Sequence, residues 1–208
     1  MVNKFKDFWE NYYKTHKNPD NESPFARFVL PFLKENSFLY ELGCGNGRDC
    51  IFLNKTGINI IAFDQCENEI NYLNDKYQSP TLKFEKGDFT NLGELPQVDY
   101  IYSRFTLHSV TKEQEIKTLK WAFSTLKNNG LFFIEIRSIH DDLFGKGEPL
   151  PDNAFITDHY RRFVRLEDFI NRIKDAGFSI LYKIQAKGLA PYKNEDPVVI
   201  RVIAQKIV

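Results

Sequence analysis

Short apolar runs rich in β-branched and aromatic residues recur along this chain: FLYEL at 38–42, GINIIAFD at 57–64, LKFEKGD at 82–88, VDYIYS at 98–103 and GLFFIEIR at 130–137. Runs of this kind suit strands buried on both faces, the condition of a parallel sheet. Helix-like segments separate them, Arg48 to Lys55, Glu67 to Tyr77 and Lys112 to Leu126, the last closed by Asn128-Asn129-Gly130 as a glycine C-cap. A β-α alternation of this length predicts a doubly wound α/β fold with helices on both faces of the sheet.

The flanks complete the sheet. Two helices come first, one over Lys4 to Lys17 with Phe5, Phe8, Trp9, Tyr12 and Tyr13 at helical spacing, and one after Ser23-Pro24, a cap followed by proline at the first helical position. At the other end a helix over Leu166 to Ala176, closed by Gly177, precedes strands at Phe178 to Ala186 and Val198 to Gln205. No helix separates these two strands, so they are expected as antiparallel neighbours, giving seven strands in all. One connection is anomalous: residues 138–165 hold Gly145, Gly147, Pro149 and Pro151 where an α/β loop normally has about 2 to 6 residues. The 208 residues are expected to form one domain, with 1–36 as an N-terminal helical cover and 138–165 as an insertion at a strand carboxyl end.

Composition narrows the partners. With 28 basic and 28 acidic side chains the formal charge is zero, which removes the long-range field of a nonspecific nucleic-acid or membrane-surface binder. No apolar stretch approaches the roughly 20 residues that span a bilayer. The N-terminus lacks the apolar core of a secretory signal, and Cys44, Cys50 and Cys66 form no C-x-x-C pair, so reduced thiols and a cytoplasmic location are expected.

The densest chemical signal is Glu41-Leu-Gly43-Cys-Gly45-Asn46-Gly47-Arg-Asp49, a strand opening through a glycine turn into a helix. Such glycines let backbone approach a ligand closely. Asp64, about 20 residues beyond the first glycine at the end of the next strand, is placed to accept both ribose hydroxyls of an adenosine. A nicotinamide dehydrogenase needs its third fingerprint glycine at position 48, which is Arg48.

With G-x-G-x-G behind an acidic residue, the segment from Ser37 to Val208 resembles the class I S-adenosylmethionine-dependent methyltransferases, whose sheet is Rossmann-like with an antiparallel last strand. The resemblance implies S-adenosylmethionine as cofactor, Glu41 at the methionine amino end, Gly43, Gly45, Asn46 and Gly47 along the methionine and ribose, and Asp64 with Gln65 at the ribose. It further implies Asp88 and Phe89 at the adenine, and Ser103 and Arg104 with Phe105, Leu107 and His108 beside the methyl group and acceptor. Tyr13 or Tyr12, in a segment similar to the start of small-molecule members of the class, could reach the methionine carboxylate; an aromatic stripe at helical spacing is more often a packing surface.

Ligands of open α/β sheets bind outside the strand carboxyl ends, so the acceptor is expected against Arg104, His108 and the insertion. The end of the fifth strand supplies Arg137 and the insertion His140, His159, Tyr160, Arg161 and Arg162, and arginine forks match phosphoryl or carboxylate oxygens. Salt bridges within the insertion are the competing role for Arg161 and Arg162. A divalent metal held by His108, His140, Asp141, Asp142 and His159 is a second alternative, without a compact ligand motif; no metal is expected. The pattern also resembles methyltransferases of bacterial capsule and surface-polysaccharide modification, some acting on phosphoramidate or sugar groups. The expected partner is therefore a small anionic or sugar-linked acceptor, O-methylated, with the enzyme a monomer or homodimer. His108, Arg104 and His159 are the candidate catalytic groups, His108 serving as base if the acceptor is a neutral hydroxyl. A non-catalytic cofactor-binding protein and a methyltransferase for thiol- or tellurite-type soft acceptors are the alternatives.

Overall fold

In the computed structural model, residues 3–16, 19 and 21–207 are described; Lys17 and the side chain of Phe5 lie outside this set. Helix α1 spans Asn3–Thr15 and α2 Pro24–Val29. Ser23 caps α2 as expected, its hydroxyl accepting from the Ala26 amide at 3.0 Å with Pro24 in the first turn.

Five parallel strands follow, β1 Phe38–Leu42, β2 Asn59–Asp64, β3 Leu82–Lys86, β4 Val98–Arg104 and β5 Leu126–Arg137. Between them lie α3 Arg48–Asn54, α4 Glu67–Tyr77 and α5 Lys112–Thr125. Beyond β5 the insertion forms β6 Glu148–Leu150, β7 Ala154–Ile156 and β8 Tyr160–Arg162, and the chain ends with α6 Leu166–Asp175, β9 Ser179–Ala186 and β10 Val199–Gln205. The large sheet has the order β3-β2-β1-β4-β5-β10-β9. Strand β10 is antiparallel to both β5 and β9, so the last strand of the chain is the reversed one. Two cores flank the sheet: Phe132, Ile134 and Ile136 of β5 face Leu119 and Phe169 of α5 and α6, while Leu131 and Phe133 face the side that holds Phe25, Leu53 and Leu73. Alternate residues of one strand thus serve opposite layers.

Two expectations change. Helix α5 does not end in a glycine cap at Gly130: it stops at Thr125, Leu126 is already extended, and the chain passes directly into β5. Pairing of Leu126 with Val98 and a hydrogen bond from the Asn129 amide to the Lys206 carbonyl draw the segment into the sheet. The left-handed residue there is Asn129 at φ 64°, a residue type that tolerates it. The insertion, read as a loop, contains a three-stranded antiparallel meander. Asp152 and Asn153, at φ 59° and 58°, make its first reversal. Phe144, Phe155 and Phe163 meet edge to face and give it a small core.

Candidate active site

Strand β1 pairs β2 on one side and β4 on the other, so the connections leaving them diverge and open a crevice at the carboxyl ends. The cavity there has a volume of about 800 Å³. Its walls are the glycine turn, the segments after β2, β3 and β4, the end of β5, part of the insertion and the β9–β10 connection, with α1 lying over it.

In one half the glycine turn is pinned to β2, since the Gly43 and Cys44 amides both donate to the Phe63 carbonyl at 2.8 and 2.9 Å. Gly43 has φ 70° and a Cβ there would stand 2.4 Å from Thr106 Cγ2; at Gly45, φ 54°, it would meet the Tyr13 hydroxyl at 2.5 Å. Asp64 accepts from the Gly45 amide at 2.9 Å and the Cys66 amide at 3.0 Å, which opposes the rise in its pKa from burial. Glu41 is buried with Oε2 unpartnered, and burial followed by the charge of Asp49 pushes its carboxyl well above the usual range. Asn46, Gln65, Asp88 and Phe89 also line the cavity. Asp88 is held by the amide and hydroxyl of Thr90 at 2.9 and 2.7 Å.

The other half carries arginines, each paired with a carboxylate, and two histidines. Arg104, Arg137, His108, His159 and Arg161 all reach the cavity. Arg104 donates to Glu135 at 3.0 Å, and Glu135 also takes Arg201 at 2.6 Å. Burial and then the charges of Arg137 and Arg161 hold the His108 imidazole neutral, well below its ordinary pKa. His159 is lowered to about 4, by burial and then by Arg161. Both Nδ1 atoms are buried; that of His108 has no hydrogen-bond partner, and that of His159 lies 3.3 Å from Asp158 Oδ2 without hydrogen-bond geometry. His159 packs against Phe8 and Trp9 of α1 with ring centroids 4.6 and 4.7 Å away.

Several residues singled out from sequence stand elsewhere. His140 is exposed and, with Tyr160, is not among the cavity-lining residues. Arg162 is 2% exposed but faces inward, donating to the Leu107 and Val110 carbonyls at 3.2 Å and pairing with Glu115. It is a strut for the segment that carries His108, and an anion could not reach it. Gly47, at φ 75°, starts α3, and a Cβ there would meet Leu73, Ile51 and Phe84, so it faces the core. Ser103 is buried beside Thr106 with the oxygens 2.5 Å apart and does not line the cavity. The Tyr13 hydroxyl overhangs Gly45, and burial and then the charge of Asp64 raise its pKa, which puts it at the Asp64 end of the crevice. The metal alternative is dispersed: Asp141 binds Arg137 and Asp142 pairs with Lys187. Among the described residues no group of three or more His, Cys, Asp or Glu could hold a metal ion.

Conversely, Arg48, His16 and the β9–β10 residues Tyr192 and Glu195 line the cavity without having been singled out. Arg48 was legible as the first residue after the glycine turn. Nothing local in the sequence brings residues near 195 to a site built around residue 43.

A mixed sheet with a reversed final strand, a glycine crevice at its switch point and a carboxylate ending β2 define an open α/β fold of the kind that binds a nucleotide cofactor. The chain belongs to the methyltransferase-domain family, whose profile matches residues 13–183. Among curated proteins it is 30% identical over 106 residues to phosphoethanolamine N-methyltransferase of Plasmodium falciparum, covering 49% of this chain and 40% of that protein. It is 29% identical over 125 residues to arsenite methyltransferase of Homo sapiens, covering 52% of this chain and 33% of that one. The matches thus span less than half the length of these relatives. Among solved structures, a SAM-dependent methyltransferase from Methanosarcina mazei superposes with a TM-score of 0.77 at 17% identity, over 87% of this chain and 97% of that one. The cofactor of this class is S-adenosylmethionine, and the crevice fits it: Glu41 Oε2 is a buried acceptor lacking a donor, and Gly43 and Gly45 leave a cradle that a Cβ would fill.

Proposed function

We propose that the chain transfers a methyl group from S-adenosylmethionine to an oxygen of a small anionic acceptor, residues 1–208 acting as one methyltransferase domain with 1–36 as cover and 138–165 on the acceptor side. The observation carrying this reading is the acceptor half of the cavity, where Arg137 and Arg161, each held in part by a solvent-exposed carboxylate, stand beside two buried neutral imidazoles, that of His108 with an unpartnered Nδ1. When bound, the cofactor supplies an electrophilic methyl for in-line displacement. Glu41 would hold its amino group, Asp64 the ribose, and Asp88 with Phe89 the adenine. Arg48 lines the same crevice with a buried Nε that lacks a partner; Asp49 is 3.6 Å away and already accepts from Ser23 and Tyr102. It would face the methionine carboxylate, the group that Tyr13 could reach.

The chain's own contribution is orientation and exclusion of water, which in such reactions contributes roughly 7 to 11 kcal/mol. His108, kept neutral, is a poor store for a proton, because burial and then the charges of Arg137 and Arg161 destabilise its conjugate acid. An anionic oxygen needs no base, and His108 then only orients it. The Plasmodium relative is named for N-methylation of a phosphoryl compound, which supports an anionic acceptor but not the choice of oxygen. For a soft acceptor the cavity offers Cys44 alone of the three free cysteines, and burial raises its thiol pKa. Release of S-adenosylhomocysteine with matched acceptors tests the proposal. Turnover on phosphoramidate, phosphonate or nucleotide-linked phosphoryl compounds supports it. Turnover confined to neutral sugars or nucleotide sugars overturns it and returns His108 to the role of base. Binding of S-adenosylhomocysteine with no turnover on any acceptor favours a non-catalytic protein.

A further inference from the structure

Arg137 is held by two carboxylates of opposite character. On one side its Nη1 donates to both oxygens of Asp141 at 3.1 and 3.0 Å, and the Asp141 side chain is 1% exposed. On the other, Nη2 donates at 2.7 Å to Glu195, whose side chain is 61% exposed at the cavity rim. Asp141 is fixed in place, since removing a buried partner leaves an uncompensated charge. Glu195 is screened by solvent and held weakly.

The surroundings of that guanidinium are built for more than one carboxylate oxygen. His108 and His159 are 4% and 6% exposed in the same cavity; the His108 Nδ1 is unpartnered, and the His159 Nδ1 lies 3.3 Å from an Asp158 oxygen. Arg161 reaches the cavity while bonded to Thr157 and to Asp158, itself half exposed. Glu195 uses one oxygen on one arginine and satisfies none of these other donors.

We infer that Glu195 is a built-in stand-in for the acceptor's anionic group, occupying the outer arm of Arg137 until a dianionic phosphoryl group displaces it. The inference rests on the anionic-acceptor reading above. A phosphoryl dianion brings twice the charge of a carboxylate and enough oxygens to meet Arg137 and an imidazole together. A monoanionic carboxylate would exchange like for like and gain little, so the swap selects phosphoryl groups over carboxylates. Displacement also releases the β9–β10 connection from Arg137, because Glu195 is its link to that side chain. Glu195 is thus a specificity-determining residue at the cavity mouth.

The test is calorimetric titration of the S-adenosylhomocysteine-loaded protein with inorganic phosphate and with acetate. Wild type should prefer phosphate. Glu195→Gln should bind phosphate about fivefold tighter, the size of an exposed ion pair removed, and should take up acetate better as well. Arg137→Lys should weaken phosphate binding and Arg137→Met abolish it, with affinity for S-adenosylhomocysteine retained as the control for folding. Equal phosphate binding by wild type and Glu195→Gln overturns the stand-in role while leaving the anionic-acceptor reading in place. Weaker binding by Glu195→Gln also overturns it, making Glu195 a positive contributor to the site. Absence of phosphate binding in every form, with S-adenosylhomocysteine still bound, overturns both.

Discussion

Glu41 carries a pH dependence that can be read directly. Burial and the charge of Asp49 raise its pKa, so the cofactor-free protein takes up a proton there more readily than a free glutamate does. Holding an ammonium requires the ionised form, so affinity for S-adenosylhomocysteine should fall as pH drops toward and through that raised pKa. Glu41→Gln should bind about tenfold more weakly near neutrality and lose the dependence, as calorimetry across pH 5 to 8 would show (roughly the worth of a charge-assisted hydrogen bond). His108 gives the complementary experiment. With its pKa depressed, it is neutral throughout the physiological range, and an orienting role predicts that His108→Gln lowers kcat/KM by about tenfold with no change in the shape of the pH profile. A loss of about 10² to 10⁴ at all pH values is the signature of a base and would point to a hydroxyl acceptor.

Among the elements, the short β8 strand and the segment after β4 depend on each other. Arg162 links them through two backbone carbonyls and Glu115 of α5, and Arg172 of α6 binds the same carboxylate at 2.5 Å. Arg162→Met leaves Glu115 with one partner and strands the carbonyls at 107 and 110. It should lower unfolding free energy by about 3 kcal/mol, the low end for breaking a buried pair, measured by urea denaturation. Because the strut holds the segment bearing His108, acceptor KM should rise while S-adenosylhomocysteine affinity is kept. The sequence offered the choice between a surface ion pair and a ligand for Arg161 and Arg162. The structure divides them, with Arg161 in the cavity on Asp158 and Arg162 in the core, because successive residues of a strand point to opposite faces.

For the whole molecule, α1 is the element that touches both halves of the crevice. Tyr13 overhangs Gly45, Phe8 and Trp9 pack on His159, and Glu10 accepts from the Glu67 amide at 3.0 Å at the start of α4. Its described side chains from Phe8 to Thr15 are half-buried or exposed, so it should open at lower cost than the buried strands. Amide hydrogen exchange in residues 3–16 should slow when S-adenosylhomocysteine binds, and more than in β1 or β5. Trp9→Ala should reduce that protection while leaving the exchange of the sheet unchanged.

What the sequence determined by itself follows from local and periodic physics. The strand runs, the glycine turn, the Ser23 cap and the carboxylate ending β2 are each set by residues within a few positions of one another, so fold class and cofactor crevice were readable as such. The reversed strand was readable too, because no helix separates the last two runs. Tertiary structure alone decided which charged side chains share a cavity. Glu195, Arg48 and His16 converge on a site centred near residue 43, while His140 and Arg162 leave it, because burial and ion pairing across distant elements fix side-chain direction after the sheet has formed. It also drew residues 126–130 from a helix end into β5 and folded the insertion into a meander, since strand pairing supplies hydrogen bonds that no local propensity announces.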